Sequence, residues 1–175
     1  HLRDQIRRVQ QEVGITTLFV THDQEEAMAI SDRVGVMNKG NLEQLDKPDV
    51  LYSNPASAFV ATFVGAMNRV PGKLLDAGSV EVLGKKINVA NTGHGLSAGS
   101  TVSVMIRPEQ FAISAGDSVT ITERSFRGPM TRIVVALSDG TKVDLDIASA
   151  ETTSMNPGTK TGLSVSAASA IIEAR

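Results

Sequence analysis

Among the residues that could do chemistry, His22 has the most informative surroundings. Residues 16–20 before it are β-branched and apolar, a pattern that predicts a buried, parallel strand. Asp23 after it, with Glu26 three residues further on, predicts an N-cap and a helix that runs to about Ile30. Open α/β sheets bind ligands at such strand ends, and an imidazole there can donate a hydrogen bond to a phosphate. Position alone leaves two interpretations open, ligand binding or mere capping and packing.

The sequence around His22 predicts a small unit of helices and strands. Apolar residues at helical spacing, followed by Gly14, predict an amphipathic first helix over residues 2–13. The further predicted elements are strands over residues 33–37 and 42–45 with a tight turn between them, a short helix that begins at Pro48, and a helix that carries Phe59 and Phe63.

After about Asn68 the helical spacing disappears, and short alternating strands separated by turns begin. The clearest pair is a hairpin with its turn at residues 138–141, and two separate strands are predicted over residues 111–114 and 119–126. Many short strands at this spacing predict a small barrel or sandwich. We therefore predict an α+β chain with a partial α/β domain over residues 1–67 and an all-β domain over residues 68–175.

The composition excludes several classes of protein. The formal net charge is -2, so no large basic surface for nucleic acid is expected. There is no cysteine, which excludes disulfides and thiolate metal sites, and no apolar run is long enough to cross a bilayer. Phe19, Phe59 and Phe63 are expected in the core rather than on a surface that stacks bases. His94 has no second ligand at metal-binding spacing, so no metal site is predicted.

Two longer stretches carry a family resemblance. VTHDQEEAM at residues 20–28, followed by SD, RVGVM, a KG turn, LYSNP and FVGAMN, closely resembles the end of the nucleotide-binding domain of ABC importer ATPases in the sugar, polyamine and iron group. VSVMIRPEQFAIS at residues 102–114, then SDG and a closing PG before a strand, is similar to the OB-like TOBE domain of that group. The domain over residues 1–67 is thus expected to be the end of a nucleotide-binding domain, and residues 68–175 a TOBE barrel with a role in regulation and dimerisation. Within that barrel, Arg107 and Glu109 could form a salt bridge or contact a ligand, and a surface salt bridge is the favoured interpretation.

The resemblance implies a role for His22. It aligns with the switch-loop histidine of the family, which contacts the γ-phosphate of ATP and helps to align it with the attacking water. His22 is therefore expected to be both a catalytic and a cofactor-binding residue, with ATP and Mg as cofactors of the full-length protein. Asp23 is expected to cap the following helix rather than to act in catalysis.

The resemblance also implies partners and a location. The expected partners are a second copy of the ATPase subunit and the membrane permease subunits of an importer, with a solute-binding protein acting indirectly and nucleic acid excluded. The expected location is cytoplasmic, peripheral on the inner face of the cell membrane. The candidate transported substrates are polyamine, ferric iron, phosphonate or sugar.

Several motifs of the family do not occur in the sequence. There is no G-x-x-x-x-G-K-[ST] loop, and the glutamine loop, the signature motif and the magnesium-binding carboxylates are also missing. The chain is therefore expected to be the C-terminal part of a longer enzyme, inactive and without bound ATP or Mg by itself. A strand over residues 16–20 without its sheet would expose an apolar edge, so the chain is expected to dimerise or to exchange segments with a second copy through residues 1–65. The alternative function is a stand-alone OB-like module that binds a small oxyanion or a sugar.

Overall fold

The computed structural model describes residues 2–91 and 95–175, so the predicted turn at His94 lies outside the described residues. The chain divides into two compact units, His1–Gly65 and Ala66–Arg175. Short helices and one hairpin make up the first unit, and β-strands make up most of the second. The predicted α+β class with an OB-like barrel is confirmed. The assignment of residues 1–67 to a nucleotide-binding domain stays a prediction.

The first unit is built from helices and a single hairpin. Its elements are α1 Leu2–Val13, α2 Gln24–Ile30, β1 Val34–Asn38, β2 Asn41–Asp46, α3 Pro48–Ser53 and α4 Ala58–Phe63. The β1–β2 turn has positive φ at Lys39 (49°) and Gly40 (84°), which is the conformation of a two-residue type I′ turn. A small core joins the hairpin to α3 and α4 and consists of Val36, Leu51, Val60 and Val64.

The predicted strand over residues 16–20 is wrong. These residues form neither helix nor strand, and Leu18 and Val20 are 91% and 84% exposed. A strand requires a hydrogen-bonding neighbour, and in the described part of the first unit the two strands pair only with each other. Phe19, which was expected in the core, is 46% exposed for the same reason. Phe59 is also partly exposed and stacks on Phe63 with ring centroids 5.8 Å apart.

The second unit combines a closed barrel with a four-stranded antiparallel sheet. The strand order is β11-β5-β4-β3-β6 in the barrel and β10-β7-β8-β9 in the sheet. The strands are β3 Asn68–Asp76, β4 Ser79–Val82, β5 Lys85–Val89, β6 Thr101–Ile106, β7 Phe111–Arg127, β8 Met130–Ala136, β9 Lys142–Ala148, β10 Lys160–Val165 and β11 Ser169–Ala174, with short 3-10 turns at Pro108–Gln110 and Ser149–Glu151. The alternation of β8 and β9 places every second side chain in the core, as the sequence predicts.

The core of the second unit is one continuous apolar cluster that receives side chains from both the barrel and the sheet. Val104 and Ile172 come from the barrel, and Ile121, Ile133 and Leu145 come from the sheet. All five are at most 2% exposed. Because barrel and sheet share this core, the second unit has its own apolar interior, which is what an independently folding domain requires.

Strand β7 replaces the two strands predicted over residues 111–114 and 119–126. It runs unbroken over Phe111–Arg127, and its register with β10 shifts between Thr161 and Gly162, so that residues 115–118 bulge from the ladder. A Cβ atom on Gly162 would lie 2.4 Å from the carbonyl oxygen of Ala115. The bulge therefore depends on a glycine in the partner strand.

The expected surface position of Arg107 is wrong, because Arg107 is only 4% exposed. Its backbone N–H donates to Oε1 of Gln110 (3.1 Å), and its guanidinium donates to the carbonyl oxygen of Ala66 (3.4 Å). Arg107 thus stabilises the turn between β6 and β7 from inside the second unit, which is a structural role.

Candidate functional site

His22 lies in the short connection before α2, between two residues that hydrogen bonds hold in place. Thr21 Oγ1 accepts the backbone N–H of Asp23 (3.0 Å) and donates to Oε2 of Glu26 (3.1 Å). Asp23 Oδ1 accepts the backbone N–H of Glu26 (3.0 Å), so Asp23 is the N-cap of α2 as predicted. The chain is therefore anchored on both sides of His22, although His22 itself belongs to no helix or strand.

Arg3 of α1 brings a positive charge to the start of α2. The guanidinium of Arg3 is 3.1 Å from Asp23, 3.8 Å from Glu25 and 3.6 Å from Glu26. These three carboxylates begin α2, and without a counter-charge they would repel a phosphate near His22. Arg3 compensates part of that negative charge, and it also ties α1 to the start of α2.

A second ion pair lies between α1 and the residues that follow α2. Arg7 donates a hydrogen bond to Asp32 and thereby lowers the pKa of that carboxyl. The same contact raises the pKa of the Arg7 guanidinium. Both groups are solvated, so we regard this pair as a weak contact that orients α1.

The side chain of His22 is exposed and lines a cleft of about 970 Å³ within the first unit. The cleft lies between α1, the segment over residues 14–23 and the β1–β2 hairpin. Its walls are mainly apolar and include Ile6, Ile15, Phe19 and Met37. Such a cleft could exclude water from one side of a group bound at His22.

The imidazole of His22 forms no hydrogen bond with the residues that the structure describes, so its ring nitrogens are available to a ligand. A neutral imidazole offers one donor and one acceptor, and a protonated one offers two donors. Within residues 2–91 and 95–175, no three His, Asp or Glu side chains are placed to hold a metal ion. The site therefore offers one hydrogen-bond donor, the imidazole of His22, on an anchored segment. It lies next to the three carboxylates at the start of α2, whose charge Arg3 partly neutralises.

Of these site residues, the sequence predicts His22 and the capping role of Asp23. It does not single out Arg3, which by its spacing belongs to the solvated face of α1. The available signal was the cluster of three carboxylates at the start of α2, because a nearby cation favours the charged forms of such a cluster. The sequence predicts no role for Thr21, and the structure gives it two hydrogen bonds.

Comparison with known proteins accounts for both units. The family model of the TOBE domain matches residues 104–172, which run from β6 into β11. Three curated relatives cover most of the chain. The sulfate/thiosulfate import ATP-binding protein CysA of Xanthomonas campestris pv. campestris is 41% identical over 83% of this chain. The spermidine/putrescine import ATP-binding protein PotA of Marinobacter nauticus is 39% identical over 79% of it, and the Fe(3+) ions import ATP-binding protein FbpC of Fusobacterium nucleatum subsp. nucleatum is 38% identical over 82% of it.

The chain is a relative of the ATP-binding subunits of ABC importers. It spans 42%, 40% and 40% of the lengths of these three relatives. In the described residues of the chain, no helix is long and apolar enough to cross a membrane. A solved structure of the cytoplasmic molybdate-binding protein ModG aligns with 62% of this chain and 96% of that one, at 16% identity and a TM-score of 0.49, a likeness too low to carry a functional inference.

Proposed function

We propose that the chain is part of the energy-coupling subunit of an ABC importer, in which ATP hydrolysis drives solute uptake, and that His22 contacts the phosphate that is transferred. The observation that carries this proposal is the geometry of His22, an exposed imidazole without a partner in the described residues, on a segment anchored at Thr21 and Asp23. A group held in this way loses little freedom when it binds, because the backbone around it is already ordered.

The proposed role of His22 is electrostatic stabilisation of the transition state. Phosphoryl transfer moves negative charge onto the oxygens of the γ-phosphate and of the leaving group, and a preorganised hydrogen-bond donor stabilises that charge in the transition state. Bound ATP with Mg supplies the phosphoryl group and its counter-charge. The described residues fit ATP only in part, because they provide this one donor and no cluster of three side chains that could hold a metal ion. The remaining contacts would come from other parts of a full-length subunit.

The proposed partners follow from the same function. A second copy of the ATP-binding subunit and a pair of membrane permease subunits would complete the importer, with a solute-binding protein delivering the substrate. The subunit would then lie on the cytoplasmic face of the membrane. The three relatives are named as importers of an oxyanion, a polyamine and a ferric ion, and the proposed substrates of this subunit are these classes together with sugar and phosphonate.

The test compares His22→Ala with wild type in the full-length protein that contains this chain. Removing one preorganised donor to a developing charge is expected to lower kcat for ATP hydrolysis by about 10²- to 10³-fold while the Kd for ATP changes by about 3-fold or less. His94→Ala is the matched control, the same substitution at a histidine in the second half of the sequence, and should retain the wild-type rate. Equal rates for His22→Ala and wild type would reject the role of His22 and favour the stand-alone binding module.

A further inference from the structure

Two carboxylates at the start of α2 each use their two oxygens for different partners. Asp23 Oδ1 accepts the backbone N–H of Glu26 (3.0 Å), and Asp23 Oδ2 accepts a hydrogen bond from Arg3 (3.1 Å). Glu26 Oε2 accepts the hydroxyl of Thr21 (3.1 Å), and Glu26 Oε1 lies 3.6 Å from Nε of Arg3. One oxygen of each carboxylate therefore holds the segment that carries His22, and the other contacts Arg3.

These contacts join four side chains into one closed network, which we call the Arg3 network: Arg3, Thr21, Asp23 and Glu26. It includes both sequence neighbours of His22, because Thr21 Oγ1 also accepts the backbone N–H of Asp23 (3.0 Å). Arg3 comes from α1, whereas the other three members lie close together in sequence. In such a network each contact supports the others, so the loss of Arg3 would loosen the whole segment.

A guanidinium suits this place in the network. It presents its N–H donors in a fixed planar fork, so a single group reaches two different carboxylates. The side chains of Arg3, Asp23 and Glu26 are 39%, 40% and 33% exposed, so water screens their contacts only partly. The third carboxylate, Glu25, adds little because its side chain is 90% exposed.

We propose that Arg3 is a positioning residue for His22, which it holds in place for the transferred phosphate through Asp23 and Glu26. The proposal rests on the proposed function of His22 and adds to it a residue of α1. A hydrogen-bond donor stabilises a transition state best when it is oriented before the reaction. Without Arg3 the imidazole would still be present, but it would occupy a wider range of positions. The affinity for ATP would change little, because other parts of a full-length subunit contribute to it.

A double-mutant cycle of ATP hydrolysis in the full-length protein tests this role. Arg3→Gln should lower kcat by about 5- to 50-fold and leave the Kd for ATP within about 3-fold. In the His22→Ala background the same substitution should have no further effect on kcat, because Arg3 acts through His22. Arg8→Gln, the same change at an exposed arginine of α1, is the matched control and should retain the wild-type rate. An unchanged kcat in Arg3→Gln, or an equal loss in both backgrounds, would overturn the proposal.

Arg3→Lys separates the geometry of the network from its charge. Lysine keeps the positive charge but replaces the planar fork by a single ammonium group, so it cannot hold both carboxylates in the same directions. We therefore expect kcat of Arg3→Lys to stay at least about threefold below that of wild type. Wild-type activity in Arg3→Lys would reject positioning through the network.

Hydrogen exchange of the Asp23 and Glu26 amides reports on the network in the absence of nucleotide. Both N–H groups donate to oxygens of the network, so their exchange in the full-length protein should accelerate by about 2- to 5-fold in Arg3→Gln. Exchange rates that match those of wild type would contradict the proposal. The two proposals fail in different ways. Wild-type hydrolysis in His22→Ala rejects the role of His22, whereas a loss of hydrolysis in His22→Ala but not in Arg3→Gln rejects only the role of Arg3.

Discussion

Asn68 provides a quantitative test of how the second unit is held together. Its side chain lies against the edge strand β9, where Nδ2 donates to the carbonyl oxygen of Asp144 (2.8 Å) and Oδ1 accepts the backbone N–H of Asp144 (2.7 Å). Asn68 is only 7% exposed, so water does not readily replace these bonds. At a net value of about 0.5–1.5 kcal/mol for each bond, Asn68→Ala should lower the free energy of unfolding by about 1–3 kcal/mol.

The assay is urea denaturation followed by far-UV circular dichroism, with native-state hydrogen exchange of the Asp144 amide as the local readout. Exchange of that amide should accelerate by about 5- to 150-fold in Asn68→Ala, because the substitution removes its acceptor. The matched control is Asn156→Ala, since Asn156 is an exposed asparagine of the same unit, and its effect should stay within about 0.5 kcal/mol. Indistinguishable stabilities and exchange rates for the two variants would refute the role of Asn68.

Two further predictions concern the second unit. Gly162→Ala should lower the free energy of unfolding by more than about 2 kcal/mol in urea denaturation, because its Cβ would meet the backbone of Ala115. A Cβ atom on Gly78 has space, so the control Gly78→Ala should be nearly neutral. Equal effects of the two substitutions would contradict this prediction. The pKa of Asp76 is lowered by hydrogen bonds from Ser79 and from the backbone of Gly78, so its charged form stabilises the fold above the unfolded pKa of about 3.9. The wild-type protein should therefore be more stable than Asp76→Asn at neutral pH, and this difference should disappear as pH falls through the lowered pKa of Asp76 in the folded state. A difference in thermal melts that persists unchanged at acid pH would contradict the prediction.

The strands of the second unit were predictable because their information is local. Alternating apolar residues identify β8 and β9, and the intervening turn over residues 138–141 contains the expected glycine, Gly140, with φ 84°. The sequence could not show that residues 111–127 form one strand, because the bulge at residues 115–118 depends on its register with β10, which is distant in the sequence. Nor could it show that Arg107 is buried, since burial depends on the packing of the whole barrel.

In the first unit the prediction failed where structure depends on neighbours. The strand expected over residues 16–20 needs a parallel partner to form, and no described strand pairs with it. The cap of α2 was predicted correctly, because Asp23 and Glu26 are close in sequence and their contact is local. His22 was identified from its position and its family resemblance, whereas the contacts of Arg3 with the start of α2 became visible only when the two helices were placed together.

The measurement that tests the central proposal most directly is the imidazole ¹H–¹⁵N spectrum of the full-length protein, with His22 assigned by comparison with His22→Ala. If His22 contacts the γ-phosphate, its ring signals should shift on addition of a non-hydrolysable ATP analogue with Mg, and ADP with Mg should leave them near their positions in the free protein. His94 should respond equally to both nucleotides. The same shift of His22 with ADP and with the ATP analogue, or no shift with either, would contradict the contact.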